Sequence, residues 1–150
     1  MLALRRSFAL LTALVASGLV HADLKVGVIA STTGPTAIVG IPQKNTAALL
    51  PTEIAGLKVE YIVLDDASDP THAVTGVKKL IGEHKVDALI GPTTTPTALA
   101  MLDFVAESKT PLLTTVGSSA VITPLDDKKK WVFKTTQNDD LIAEAVLAHM

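Results

Sequence analysis

Short, β-branched apolar runs alternate with amphipathic stretches along this chain, and one such unit, Ile90 to Ser119 (IGPTTTPTALAMLDFVAESKTPLLTTVGSS), narrows the possible folds most sharply. An apolar strand end (Ala88, Leu89, Ile90) passes through Gly91 and Pro92 into a threonine cluster. Ala98, Leu99, Leu102, Val105 and Ala106 then recur at three- and four-residue steps, before a second apolar run and a Gly-Ser-Ser turn. That spacing predicts a helix with one apolar face. A helix between two short buried strands is the crossover a parallel sheet needs. Thr95 occupies the predicted N-cap, with Pro96 first in the helix, where its missing N–H costs nothing and its fixed φ already suits.

The same alternation extends both ways. Leu24 to Ala30 reads as the first buried strand, closed by the polar turn Ser31 to Pro35. A helix is expected over Pro42 to Ala55, broken near Pro51, and a second strand over Lys58 to Leu64. Asp69 and Pro70 start a helix from Thr71 to Glu83 whose Ala73, Val74, Val77, Leu80 and Ile81 share a face. Further strands are expected at Val86 to Ile90, Pro111 to Thr115 and Trp131 to Lys134. Asn138 caps a last helix with Asp139 and Asp140 in its first turn and Leu141, Ile142, Ala145 and Val146 on its buried face. The expected fold is α/β, a doubly wound parallel sheet cut short at Met150.

Charge and targeting restrict function. Arg5 and Arg6 precede the almost wholly apolar run Ser7 to Val20, and Val20-His21-Ala22 supplies a cleavage site. This predicts a secretory signal peptide over residues 1–22, cut after Ala22, with periplasmic location and no stable membrane anchor. Cleavage takes the thirteen basic residues to eleven, against fifteen acidic ones, for a net charge of −4. Nucleic acid is a poor partner for such a chain. Both arginines lie in the leader, so bidentate guanidinium capture of an anion is unavailable to the mature chain. The absence of cysteine removes thiolate chemistry, disulfides and cysteine metal sites.

What remains for an anion is backbone N–H, hydroxyl or lysine. A helix starting at the carboxyl end of a strand aims free N–H groups, here those of Thr97 and Ala98, into the crevice with the positive end of its dipole. The hydroxyls of Thr93, Thr94 and Thr95 surround that point, and Ser118 and Ser119 add more from the next strand. Thr95 serves either as a simple cap or as part of this site. The carboxylates of Asp65, Asp66 and Asp69 imitate an EF-hand loop for five positions, but Pro70 stands where glycine is needed and no glutamate follows at the twelfth, so cap and turn is the favoured role. There is no G-x-G-x-x-G, P-loop or G-x-S-x-G, and His72, His84 and His149 sit on or beside helices. The third strand ends without the aspartate that a phosphorylated receiver domain needs. No enzyme, metal or cofactor is expected.

In this order and spacing, KVGVIASTTGP, DDASDPTHAV, IGPTTTPTALA, KTPLLTTVGSS and WVFKTTQND resemble the amino-terminal part of the leucine/isoleucine/valine-binding family of periplasmic proteins that serve ABC importers. The resemblance covers Leu24 to Met150. It implies the first lobe of a two-lobed, type I binding protein, with residues 23–137 as that lobe and 138–150 as the first helix of the second. It implies a small carboxylate or apolar amino acid as ligand, ABC transporter membrane subunits as partners, and weak binding by one lobe alone. Thr95, with Thr94 beside it, matches the residue that holds the ligand carboxylate. Ser119, beside Ser118, matches the hydroxyl residue touching carboxylate and ammonium, and Gly117 the carbonyl that accepts from the ammonium. Val39 falls near a position, often aromatic, that packs on the ligand side chain. A receptor's ligand-sensing domain and a small exported hydrolase are the alternatives.

Overall fold

The computed structural model describes residues 23–150, so the leader assigned to residues 1–22 lies outside the described residues. β1 (Leu24–Ala30) forms the middle of a six-stranded sheet with β2 (Glu53–Ile54), β3 (Leu57–Asp65), β4 (Ala88–Ile90), β5 (Leu112–Thr114) and β6 (Val132–Lys134), in the order β2-β3-β1-β4-β5-β6. The pairs β1–β3, β1–β4, β4–β5 and β5–β6 are parallel, and β2 pairs antiparallel with the start of β3.

Strand order reverses at β1. The chain leaves β1 toward β3, then crosses back to β4 and moves on to β5. Right-handed crossovers therefore put α1 (Ala37–Ala47) on one face and both α2 (Pro70–Lys79) and α3 (Thr95–Ser108) on the other. α2 and α3 pack together there. Ile29, Leu80, Leu89, Met101, Val105 and Leu112 are fully buried between these helices and the sheet. Among the described residues the opposite face carries only the helix α1. Strand alternation turns Leu113 and Phe133, paired in register, to that side, and they are 37% and 54% exposed.

α1 departs from expectation. It spans Ala37–Ala47 with Pro42 inside it, and the chain from Glu53 to Lys58 is a hairpin rather than helix, turning at Ala55 and Gly56 with φ of 53° and 82°. Gly40 explains the earlier start: a β-carbon there would collide with the Ser31 carbonyl oxygen, so α1 lies backbone against backbone on the end of β1. That contact needs no apolar stripe and leaves no periodicity to read. At α2 expectation and structure agree: Asp69 accepts from the N–H groups of Thr71 (2.7 Å) and His72 (3.0 Å), with Pro70 in the first turn. α2 continues into a π-helical turn, Leu80–His84, ended by Lys85 in the left-handed region.

The buried face of α3 consists of Thr97, Ala98, Met101, Leu102 and Val105, while Leu99, expected inside, is 41% exposed. The last helix, α4 (Asp139–His149), buries none of its residues. Leu141, Ile142 and Val146, assigned to a buried face, are 57%, 44% and 53% exposed, since among the described residues no element covers them. No helix among the described residues is long and apolar enough to cross a membrane.

Candidate functional site

The loops after β1, β3, β4 and β5 meet at the carboxyl edge of the sheet, and β1 and β4 flank the point where strand order reverses. Open α/β sheets bind ligands at such a point, since adjacent loops part there to opposite faces and leave a crevice.

Two aspartates shape one side. Asp65 accepts from the N–H groups of Thr32 (2.9 Å), Thr33 (3.3 Å) and Ala67 (2.8 Å) and from the Thr33 hydroxyl (2.6 Å). Burial pushes its carboxyl up, but hydrogen bonds from Thr33, Ala67 and Thr32 outweigh that and pull the pKa from 3.8 to about 2. Asp66 is buried, accepting from the Ser31 hydroxyl (2.5 Å) and the Ser68 N–H (3.0 Å). These oxygens act on the loops, stitching the β1 turn to the β3 turn.

The other side is the start of α3. Thr94, not Thr95, is the N-cap residue, and Thr95 is the first residue of the helix; the Pro96 signal located this start to within one position. The Thr94 hydroxyl makes no cap bond and instead meets the Thr97 hydroxyl at 2.9 Å, while the Thr97 hydroxyl also lies 2.8 Å from the Thr94 carbonyl. The Ala98 N–H, expected to be free, bonds to the Thr94 carbonyl at 3.0 Å. Among the described residues the N–H groups of Thr95 and Thr97 and the Thr95 hydroxyl have no such partner, so they form the open positive end of α3. Thr93 turns inward: its hydroxyl accepts from the Ser31 N–H (2.8 Å) and donates to Gln43 (2.6 Å).

β5 delivers the third component. Ala98, Val116 and Val121 pack into one apolar cluster, which holds the first turn of α3 against the segment containing Gly117, Ser118 and Ser119. Ser119 opens a short 3₁₀ turn to Val121, capped by the Ser118 hydroxyl. The Ser119 hydroxyl donates to Asp140 (3.1 Å), and the Gly117 carbonyl accepts from the Asp139 N–H (3.0 Å). Thr95 and Ser119 thus stand at the ends of neighbouring parallel strands, both half-buried, one beside a helix N-terminus and the other beside a carboxylate.

Between α1 and the sheet lies an apolar recess of about 580 Å³ that reaches Gly91 and Thr115 at the same edge and includes Val39, Ile38 and Ile90 in its walls. Val39 is 50% exposed and lines it. Gln43, beside Val39, is the residue that sequence reasoning passed over. An isolated amide among Ile38, Val39, Ile41 and Pro42 was the available signal.

A mostly parallel open sheet with hydroxyls, a helix N-terminus and an apolar recess gathered at its strand ends has parts that suit a small ligand. Residues 23–150 match the family model described as periplasmic binding protein, and the chain belongs to that family of solute-binding proteins. A Leu/Ile/Val-binding protein from Rhizobium johnstonii is 31% identical over 147 residues, covering 94% of this chain and 39% of the relative. An extracellular ligand-binding receptor from Rhodopseudomonas palustris HaA2 superimposes with a TM-score of 0.81 at 48% identity, over 83% of this chain and 35% of its own. A solute-binding protein of an ABC transporter from Rhodopseudomonas palustris BisB5, solved with 3,4-dihydroxybenzoic acid, gives 0.68 at 29% identity, over 77% and 32%. The chain therefore spans between about a third and two fifths of the length of these proteins.

Proposed function

We propose that this chain forms the amino-terminal lobe of an exported solute-binding protein serving an ABC importer, and that its ligand is a small apolar amino acid held by its carboxylate and ammonium groups. The leader over residues 1–22 would deliver it to the periplasm, residues 23–137 would make up the lobe, and residues 138–150 would open a second lobe. ABC transporter membrane subunits are its partners, and binding without turnover is its activity.

The observation that carries this reading is the polarity of the edge. The free N–H groups at Thr95 and Thr97 favour a carboxylate, whereas Ser119 and the Gly117 carbonyl, with Asp139 and Asp140 beside them, favour an ammonium. A zwitterion matches both ends, and the recess walled by Val39 and Ile90 suits an apolar side chain. A second reading, an aromatic carboxylate without ammonium, draws support from the dihydroxybenzoate complex of the BisB5 relative.

Titration of the 150-residue protein with L-isoleucine, L-leucine and 3,4-dihydroxybenzoate, followed through backbone amide shifts, tests the proposal. Millimolar isoleucine is expected to move Thr95, Thr97 and Ser119, and Asp140→Asn to weaken isoleucine without weakening dihydroxybenzoate. Preference for dihydroxybenzoate would favour the second reading, and no response to any of the three would overturn both. Micromolar affinity would contradict the expectation that one lobe alone binds weakly, since closure of two lobes supplies much of the trapping in hinged binding proteins. Substrate turnover that vanishes in Ser119→Ala would instead indicate an exported hydrolase, and a membrane span encoded beyond Met150 a receptor's sensing domain.

A further inference from the structure

Gln43 touches both of the loops that carry the proposed donors, although it lies 50 and 72 residues away from its two partners in sequence. Its Oε1 accepts from the Thr93 hydroxyl at 2.6 Å and its Nε2 donates to the Thr115 hydroxyl at 3.2 Å. Thr93 is two residues before Thr95, and Thr115 two before Gly117.

The polarity of this chain of bonds is determined at the Thr115 end and is satisfied at the Thr93 end. At the latter the Thr93 oxygen accepts from the Ser31 N–H (2.8 Å), and with Gln43 Oε1 turned toward it the Thr93 proton goes to that oxygen. The Pro92 carbonyl can only accept, so the Thr115 proton goes to it (2.9 Å) and the Thr115 oxygen must receive from Gln43. The middle position therefore calls for one acceptor and one donor on the same planar group. A primary amide provides that, and an ionised carboxylate, an ammonium or an alkyl group does not.

We infer that Gln43 is a positioning residue for the binding edge: its amide clamps the loop after β4 to the loop after β5 and sets the separation of Thr95 from Ser119. It acts through Thr93 and Thr115. The clamp also ties that separation to α1, so the apolar recess and the polar edge are held in fixed relation. The consequence for affinity rests on the ligand reading above; the clamp itself does not.

The test uses Gln43→Met, which keeps length and volume but removes both polar ends, with Thr115→Val as a second variant that cuts the Gln43–Thr115 bond together with the Thr115–Pro92 bond. Gln43 is only half-buried, so the fold is expected to survive with a denaturation midpoint lowered by no more than the one or two net hydrogen bonds removed. Amide hydrogen exchange at Ala98, Ile122 and Asp139, whose N–H groups bond to the carbonyls of Thr94, Ser119 and Gly117, should quicken in both variants while α2 amides stay protected, and affinity for L-isoleucine should fall about tenfold, the size of one or two net hydrogen bonds. The double variant should lose less than the sum of the two single ones, because both remove the Gln43–Thr115 bond, while Gln43→Met alone also removes the Thr93 bond and Thr115→Val alone the Pro92 bond. Unchanged exchange in the two loops, additive losses, or loosened loops with undiminished isoleucine affinity would each overturn the inference. Loosened loops in a protein that binds neither isoleucine nor dihydroxybenzoate at millimolar concentration would uphold the clamp and defeat the ligand reading.

Discussion

Asp65 shows how much a single carboxylate does here: four donors from Thr32, Thr33 and Ala67 converge on it, and its pKa falls to about 2. A folded pKa below the unfolded one means that the ionised form is favoured by folding. Its stabilising contribution is complete above about pH 4 and is lost as pH falls toward 2. Asp65→Asn should therefore lower the thermal midpoint at pH 7 and narrow its difference from the parent at pH 2.5, as measured by circular dichroism. A parallel pair of pH profiles would refute this. Some of this scale was legible beforehand. The Asp69 cap followed from its Pro70 neighbour, and α3 began within one residue of the position expected from Pro96. The inward turn of Thr93 was not legible. Its partners, Ser31 and Gln43, lie 62 and 50 residues away, and nothing local distinguishes its hydroxyl from those of Thr94 and Thr95.

Among the elements, the two sides of the sheet differ in what a truncated side chain would cost. Leu80 is fully buried against α2, α3 and the sheet, and Leu80→Ala should cost roughly 2–5 kcal/mol in urea unfolding. Leu113, on the side that α1 leaves open, should lose less than about 1 kcal/mol on the same change. Equal losses would mean that the open side is packed in solution. The strands and the α2 and α3 helices were readable because burial imposes a period on them. α1 was misplaced because its contact with β1 runs through Gly40 and backbone, and Pro42 sits inside it where a proline more often marks a start. The hairpin at Ala55 and Gly56 lacked the Asn-Gly or Asp-Gly pair that announces such turns.

At the scale of the molecule, exposed apolar side chains collect on the α1 side of the sheet and along α4, where Leu147 is 71% and Val146 53% exposed. Surfaces of that kind promote association. Sedimentation velocity should show growth in mass with concentration, and Val146→Lys with Leu147→Lys should reduce it; a monomer at every concentration would count against this. α4 was expected to bury that side, since a period in sequence identifies an apolar face without saying what meets it. The uneven covering of the sheet has one more consequence. With two mutually packed helices behind it and, among the described residues, α1 by itself in front, the sheet should open from the front first, as the region with fewer buried contacts opens at lower free energy. For a ligand held as proposed, departure would then begin at its hydrocarbon tail, with the carboxylate at Thr95 the last point of attachment.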